Sequence, residues 1–118
     1  MRSRLTAAGD RNDTVHTPFT CLGETWRTLT EPRGYGFHPD NVQLLLRRTV
    51  QFLPPLMPGN RYVERWLALA NELQPAGAEV FDVQIAALCL EHRCTEIWTF
   101  DTRFPRVAGL SVVDPTDD

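Results

Sequence analysis

Apolar residues recur at helical spacing in four stretches of this chain, and short β-branched or aromatic runs separate and follow them. Phe19, Leu22, Trp26 and Leu29 form the first stripe, opened by Thr17 as N-cap and Pro18 in the first turn, and predict a helix ending near Thr30. Pro39 and Asp40 open a second helix with Val42, Leu45, Leu46 and Val50 on one face. Asn60 reads as the cap of a third, whose stripe is Val63, Trp66, Leu67, Ala70 and Leu73. After the Pro75 to Gly77 break comes AEVFD, then a fourth helical pattern through Ile85, Leu88, Cys89 and His92. Strands are expected at Val50 to Leu56, which Pro54 and Pro55 interrupt, at Glu96 to Phe100, and at Leu110 to Val113, closed by Pro115 and an acidic tail. EPRGYGFHP is a loop. Residues 1–16 show no periodicity beyond Leu5 and two alanines, so they read as a loose polar arm ahead of a single folded domain at 17–118. The alternation predicts an α/β domain with a parallel sheet and helices on both faces.

Composition narrows the class of function. With 118 residues, 42% hydrophobic and 23% charged, the chain suits one globular domain and is neither disordered nor fibrous. No run approaches the roughly 20 apolar residues of a membrane span, and MRSRLTAAGDRNDT lacks the apolar core of a secretory signal, so a cytoplasmic protein is expected. Cys21, Cys89 and Cys94 contain no C-x-x-C pair and read as reduced thiols, mostly packed in the core. A net charge of −3 argues against electrostatic coating of long nucleic acid, while leaving room for a small nuclease site flanked by arginines. His16, His38 and His92 lack the spacing of a zinc site, and His92 near a helix end reads as a dipole partner. Glycine motifs that cradle nucleotide phosphates are absent.

Three carboxylates mark element ends or helix faces: Glu24 on the first helix, Asp82 where the fourth starts, and Asp101 where a strand stops. If they converge, they form a hard oxygen pocket suited to Mg²⁺ or Mn²⁺ and to metal-assisted phosphodiester hydrolysis. Each has a plainer reading. Asp82 suits an N-cap, Glu24 lies opposite the apolar stripe on a face expected to be solvated, and Asp101 suits a turn. Asp101 is the strongest candidate, because ligand sites in such sheets gather beyond the carboxyl ends of strands. Thr99 is placed to bind a carboxylate or phosphate, though threonine is also a common strand former. Arg27 and Arg33 near Glu24, and Arg103 and Arg106 beyond Asp101, are either solvated or available to RNA phosphates.

FDVQIAALCLEHRCTEIWTFDTRFPRVAGLSVVDP, with an Asp opening an Ala-rich helix and a T-x-D-x-x-F strand end, resembles the C-terminal half of the PIN-domain ribonucleases, and among them the VapC-type toxins of toxin–antitoxin pairs. LGETWRTLTEPRGYG resembles the helix bearing that family's second acidic residue and the L-T-x-P-R loop after it, and MPGNRY is a weaker landmark. The likeness spans roughly 17 to 115. It implies a three-layer sandwich around a parallel central sheet, and a metal-dependent endoribonuclease in which Glu24, Asp82 and Asp101 hold Mg²⁺ (or Mn²⁺) and a metal-activated water attacks RNA. Thr99 and Arg103 are then the substrate contacts, and a cognate antitoxin and a homodimer the implied protein partners. One departure is visible: the family opens with a hydrophobic strand carrying its first metal-binding aspartate, and MRSRLTAAGDRNDTVH has none, Asp10 and Asp13 lying in the polar arm. The alternative is a truncated, catalytically impaired domain that only binds protein. Trp26, Tyr35 and Trp66 are large enough to serve core or interface, and the sequence assigns them to neither.

Overall fold

The computed structural model describes residues 2–11 and 13–116. It contains five helices and four short strands: α1 (Arg2–Asp10), β1 (Thr17–Pro18), α2 (Phe19–Thr30), α3 (Pro39–Phe52), β2 (Pro55–Leu56), α4 (Tyr62–Leu73), α5 (Glu79–Glu91), β3 (Glu96–Trp98) and β4 (Ser111–Val113). The α/β class and the parallel pairing agree with the sequence pattern. The strands are shorter than expected and pair two by two, β1 with β2 and β3 with β4, both parallel. The chain divides into two compact units, one of residues 1–14 with 58–118 and the other Val15–Met57. The expected acidic tail at Asp117 and Asp118 lies outside the described residues, as does the side chain of Asp10.

In the first unit, α5 forms the core. Val83, Ala86, Ala87, Leu88 and Cys89 are all buried, and a helix apolar around most of its circumference belongs inside. Phe104 and Leu110 close on Ala86 and Cys89, with Leu69 of α4 and Ile97 and Val112 of the β3–β4 pair packed around them. Cys89 is buried, Cys21 and Cys94 half-buried, and no disulfide joins them. Burial raises the Cys94 thiol pKa above its ordinary value, in keeping with a protonated core thiol.

Four expectations are corrected in detail. Arg2–Asp10 is a helix and not a loose arm. Its sequence offers helix-forming Arg, Leu and Ala residues but almost no stripe, and it is anchored by a small side chain, Ala8, which is buried while Leu5 stays largely exposed. The run at Val50 to Leu56 is strand only at Pro55–Leu56; its first three residues are the end of α3, which stops at Phe52 because Pro54 disfavours helical geometry in the residue before it. Thr17 belongs to β1, and Pro18 takes the N-cap position of α2 with no side-chain cap. Asp82 does not open α5, which begins three residues earlier at Glu79; it lies in the first turn, where an acid still suits the helix dipole.

The start of α4 shows how a distant residue displaces a local cap. Arg61, not Asn60, takes the N-cap position and makes no side-chain cap. The Glu91 carboxylate at the end of α5 instead fastens the segment that enters the helix, accepting the Gly59 N–H at 2.8 Å on Oε1 and the Arg61 N–H at 3.0 Å on Oε2. A Cβ at Gly59 would sit 2.7 Å from Oε2, so glycine is required for the carboxylate to approach. The Gly59 hydrogen bond is the largest cause holding the Glu91 pKa below its ordinary value, with the Arg61 bond and the His92 and Arg65 charges adding to it against partial desolvation. A folded-state pKa below the unfolded one means that this stabilisation is complete above the unfolded value and is lost as pH falls through the folded one. The melting-temperature advantage of wild type over Glu91→Gln is therefore expected to shrink as pH is lowered from roughly 7 to roughly 3. A constant difference across that range would show that the carboxylate charge is not what holds the loop. Gly59→Ala, which pushes the carboxylate away, is expected to add little once Glu91 is already replaced.

The second unit is built on a helix pair, α2 against α3, with β1 and β2 beside it. His38 caps α3 by accepting the Asp40 N–H on Nδ1 at 3.1 Å, and Pro39 follows at the first helical position. Of the expected α3 stripe, Val42 is buried and Leu46 and Val50 half-buried, while Leu45 is 48% exposed. The β1–β2 pair is fastened by the Thr17 N–H donating to the Pro54 carbonyl at 3.2 Å.

Candidate functional site

Thr99, Asp101 and Arg103 meet in one turn. The Thr99 N–H donates to the Val113 carbonyl at 3.0 Å, which carries the β3–β4 ladder one residue past the strand. The Thr99 hydroxyl then accepts the Asp101 N–H at 3.1 Å, and Asp101 Oδ1 accepts the Arg103 N–H at 2.9 Å. The Asp101 carbonyl takes the Phe104 N–H at 3.2 Å, and Phe104 is buried. Each letter of T-x-D-x-x-F thus has a job: threonine ends the strand, aspartate forms the turn, and phenylalanine anchors it. The turn-forming reading of Asp101 holds, and it is compatible with chemistry, since Asp101 is exposed and Oδ2 takes no part in the turn. Arg103 and Arg106 follow on the same exposed segment.

Asp82 reaches the same unit from a different element, half-buried in the first turn of α5. Glu24 belongs to the other unit, exposed on α2. Arg27, Thr28 and Glu31 continue its helix face at i+3, i+4 and i+7. Arg27, Thr28 and Glu31, with Gly34 and Tyr35 from the loop, line an open depression of about 270 Å³. That loop is tightly fastened: the Gly34 and Gly36 N–H groups both donate to the Glu31 carbonyl at 2.9 Å, and the Phe37 N–H donates to the Leu29 carbonyl at 2.8 Å. Gly36 has φ +61°, a conformation glycine adopts without strain. Sequence reasoning left this depression unread, and also missed Glu91, whose carboxylate is structural.

Among the described residues, neither unit gathers three His, Cys, Asp or Glu side chains into a group able to hold a metal ion. The donor chemistry nevertheless suits a hard cation. Mg²⁺ keeps several waters and is held by one or two carboxylates together with substrate phosphate oxygens, which is a role open to Asp101 through Oδ2 and to Asp82. Among the described residues no helix is long and apolar enough to cross a membrane.

An α/β domain with parallel strand pairs and an acidic turn beyond a strand's carboxyl end belongs to the class of folds that gather ligand sites at such ends. Within it the chain is placed by its sequence: the model of the PIN domain matches residues 2–110, and this protein belongs to that family. The match begins inside the stretch that forms α1. PIN domains are generally nuclease-like and generally use divalent metal ions. No curated protein matches the chain.

Proposed function

We propose that this PIN domain is a Mg²⁺- or Mn²⁺-dependent endoribonuclease of the VapC toxin type, working in the cytoplasm and held in check by a cognate antitoxin. The observation that carries the reading is the Asp101 turn, which fixes a carboxylate at a strand end while keeping one oxygen outside its own hydrogen bonding. Glu24, Asp82 and Asp101 are the proposed metal-holding and catalytic carboxylates, and Thr99 and Arg103 the proposed substrate contacts. When bound, the cation supplies Lewis acidity, acidifying water and offsetting phosphate charge. The protein's part is to position: Thr99 and Arg103 orient the Asp101 carboxylate through the turn, and the Arg103 guanidinium is free to pair with a phosphate.

Purified, folded protein is expected to cut a fluorescent single-stranded RNA in Mn²⁺ or Mg²⁺, and to stop on addition of EDTA or in the Asp82→Asn/Asp101→Asn double variant. Folded protein that leaves the RNA intact points to the second reading, a catalytically impaired PIN domain that binds only protein. That reading draws on Val63, Leu67 and Phe81, which α4 and α5 expose at 57%, 55% and 57%. These apolar side chains suit a homodimer or antitoxin contact.

A further inference from the structure

We infer that the Arg27–Tyr35 depression is a subsite for one unpaired nucleobase of the RNA substrate, with Tyr35 as its stacking platform. The inference rests on the ribonuclease reading. Tyr35 and Phe37 are 65% and 50% exposed, and their rings touch at a centroid distance of 5.6 Å and an interplanar angle of 34°. Aromatic rings that serve packing are covered, whereas this pair is held in water by a loop with three backbone hydrogen bonds across its base. Such a loop presents flat apolar faces with little entropy left to lose on binding. At about 270 Å³ the depression lies just below the range of drug-sized pockets and fits a single small planar group.

The lining chemistry specifies which planar group. Arg27 offers guanidinium donors to a phosphate or a base edge, and the Glu31 carboxylate accepts from an exocyclic amino group. Arg33, exposed on the same loop, adds positive charge beside the aromatic pair. Aromatic faces interleaved with arginine are the means by which proteins hold splayed, single-stranded RNA, whose bases stack on tyrosine and phenylalanine while cations meet the backbone. Arg27 lies three residues from Glu24 on α2, about 4.5 Å along the helix axis, so a base in the depression is within a nucleotide or so of that carboxylate. A neighbouring base bound there sets cleavage context, because it holds the strand in one register against Glu24.

The test is fluorescence anisotropy with a labelled single-stranded RNA oligomer in EDTA, so that the strand is not cut, with a duplex RNA as comparison. Tyr35→Ala is expected to weaken single-strand binding roughly tenfold while leaving the dependence on salt concentration unchanged, since stacking releases no counterions. Tyr35→Phe and Tyr35→Trp are expected to retain wild-type affinity, and duplex binding is expected to be the same in all variants. Wild-type affinity in Tyr35→Ala, alongside clear wild-type binding, overturns the subsite and leaves the ribonuclease reading intact. Equal losses in Tyr35→Phe and Tyr35→Ala overturn it too, since the hydroxyl or the loop, not the ring face, would then be responsible. If instead Tyr35→Ala dissociates a dimer in sedimentation and keeps its RNA affinity, the pair is a protein contact. A folded wild-type protein that binds no single-stranded RNA in EDTA overturns the subsite, while RNA cleavage in Mn²⁺ or Mg²⁺ decides the ribonuclease reading separately.

Discussion

Asp101→Asn is expected to lower RNA cleavage by roughly 10² to 10³-fold while leaving the protein folded. The substitution is informative because the turn needs an acceptor, not a charge. Asparagine's carbonyl can take the Arg103 N–H as Oδ1 does now, and asparagine forms such turns as readily as aspartate. The Asp101 N–H remains bonded to the Thr99 hydroxyl, and the Phe104 anchor is untouched. What is lost is the negative charge available to a divalent cation through the second oxygen. Asp101→Ala removes charge and turn together, so it should lose as much activity and in addition some stability. Isothermal titration with Mn²⁺, RNA cleavage, and thermal melts on the three proteins separate these effects. Full activity in a folded Asp101→Asn would remove this carboxylate from the chemistry and leave it as a turn former.

The helices were largely legible in the sequence because their signals are local. The α2 and α3 patterns each carry a stripe, with proline marking the start or stop of both, and α5 is a long apolar run fit for the core. Of the α4 stripe, Trp66, Ala70 and Leu73 turn inward as expected, while Val63 and Leu67 are exposed and Tyr62 and Leu69 take inward places instead. A short amphipathic helix with apolar residues on adjacent rows leaves that choice to its neighbour, here α5. The cap at Asn60 failed for a related reason, since Glu91, remote in sequence, binds the Gly59 and Arg61 N–H groups on either side of Asn60 and sets the chain's entry into the helix. α1 escaped notice because alanine burial leaves almost no periodic trace. At the candidate site, T-x-D-x-x-F gave residue types in order, and its hydrogen bonding follows from that order. Glu24 and Asp82 carried no comparable local signature, as a carboxylate on a helix looks alike whether it is solvated, capping or liganding.

Phe104→Ala is expected to cost about 3–5 kcal/mol, the range for deleting a buried aromatic ring, out of a total that for single domains is roughly 5–15 kcal/mol. Phe104 is 4% exposed and packs with Ala86, Cys89 and Leu110, all of them small or already committed to the core, so little is available to collapse into the space. Phe100, four residues earlier, is 65% exposed, and Phe100→Ala should stay within about 0.5 kcal/mol of wild type. Urea midpoints of the two variants measure the contrast, and similar midpoints would mean that the ring at 104 is not the anchor. The consequence reaches the candidate site, because the Phe104 N–H donates to the Asp101 carbonyl at 3.2 Å and closes the turn from its far end. With the ring gone, the backbone at 104 loses the packing that keeps this bond in place, and the Asp101 carboxylate gains freedom at the strand end. Activity per folded molecule should therefore fall in Phe104→Ala even at temperatures well below its melting point, and recover in Phe104→Leu, which refills most of the volume. A Phe104→Ala protein with wild-type activity per folded molecule would separate core from site and show that the Thr99 and Arg103 hydrogen bonds hold the carboxylate unaided.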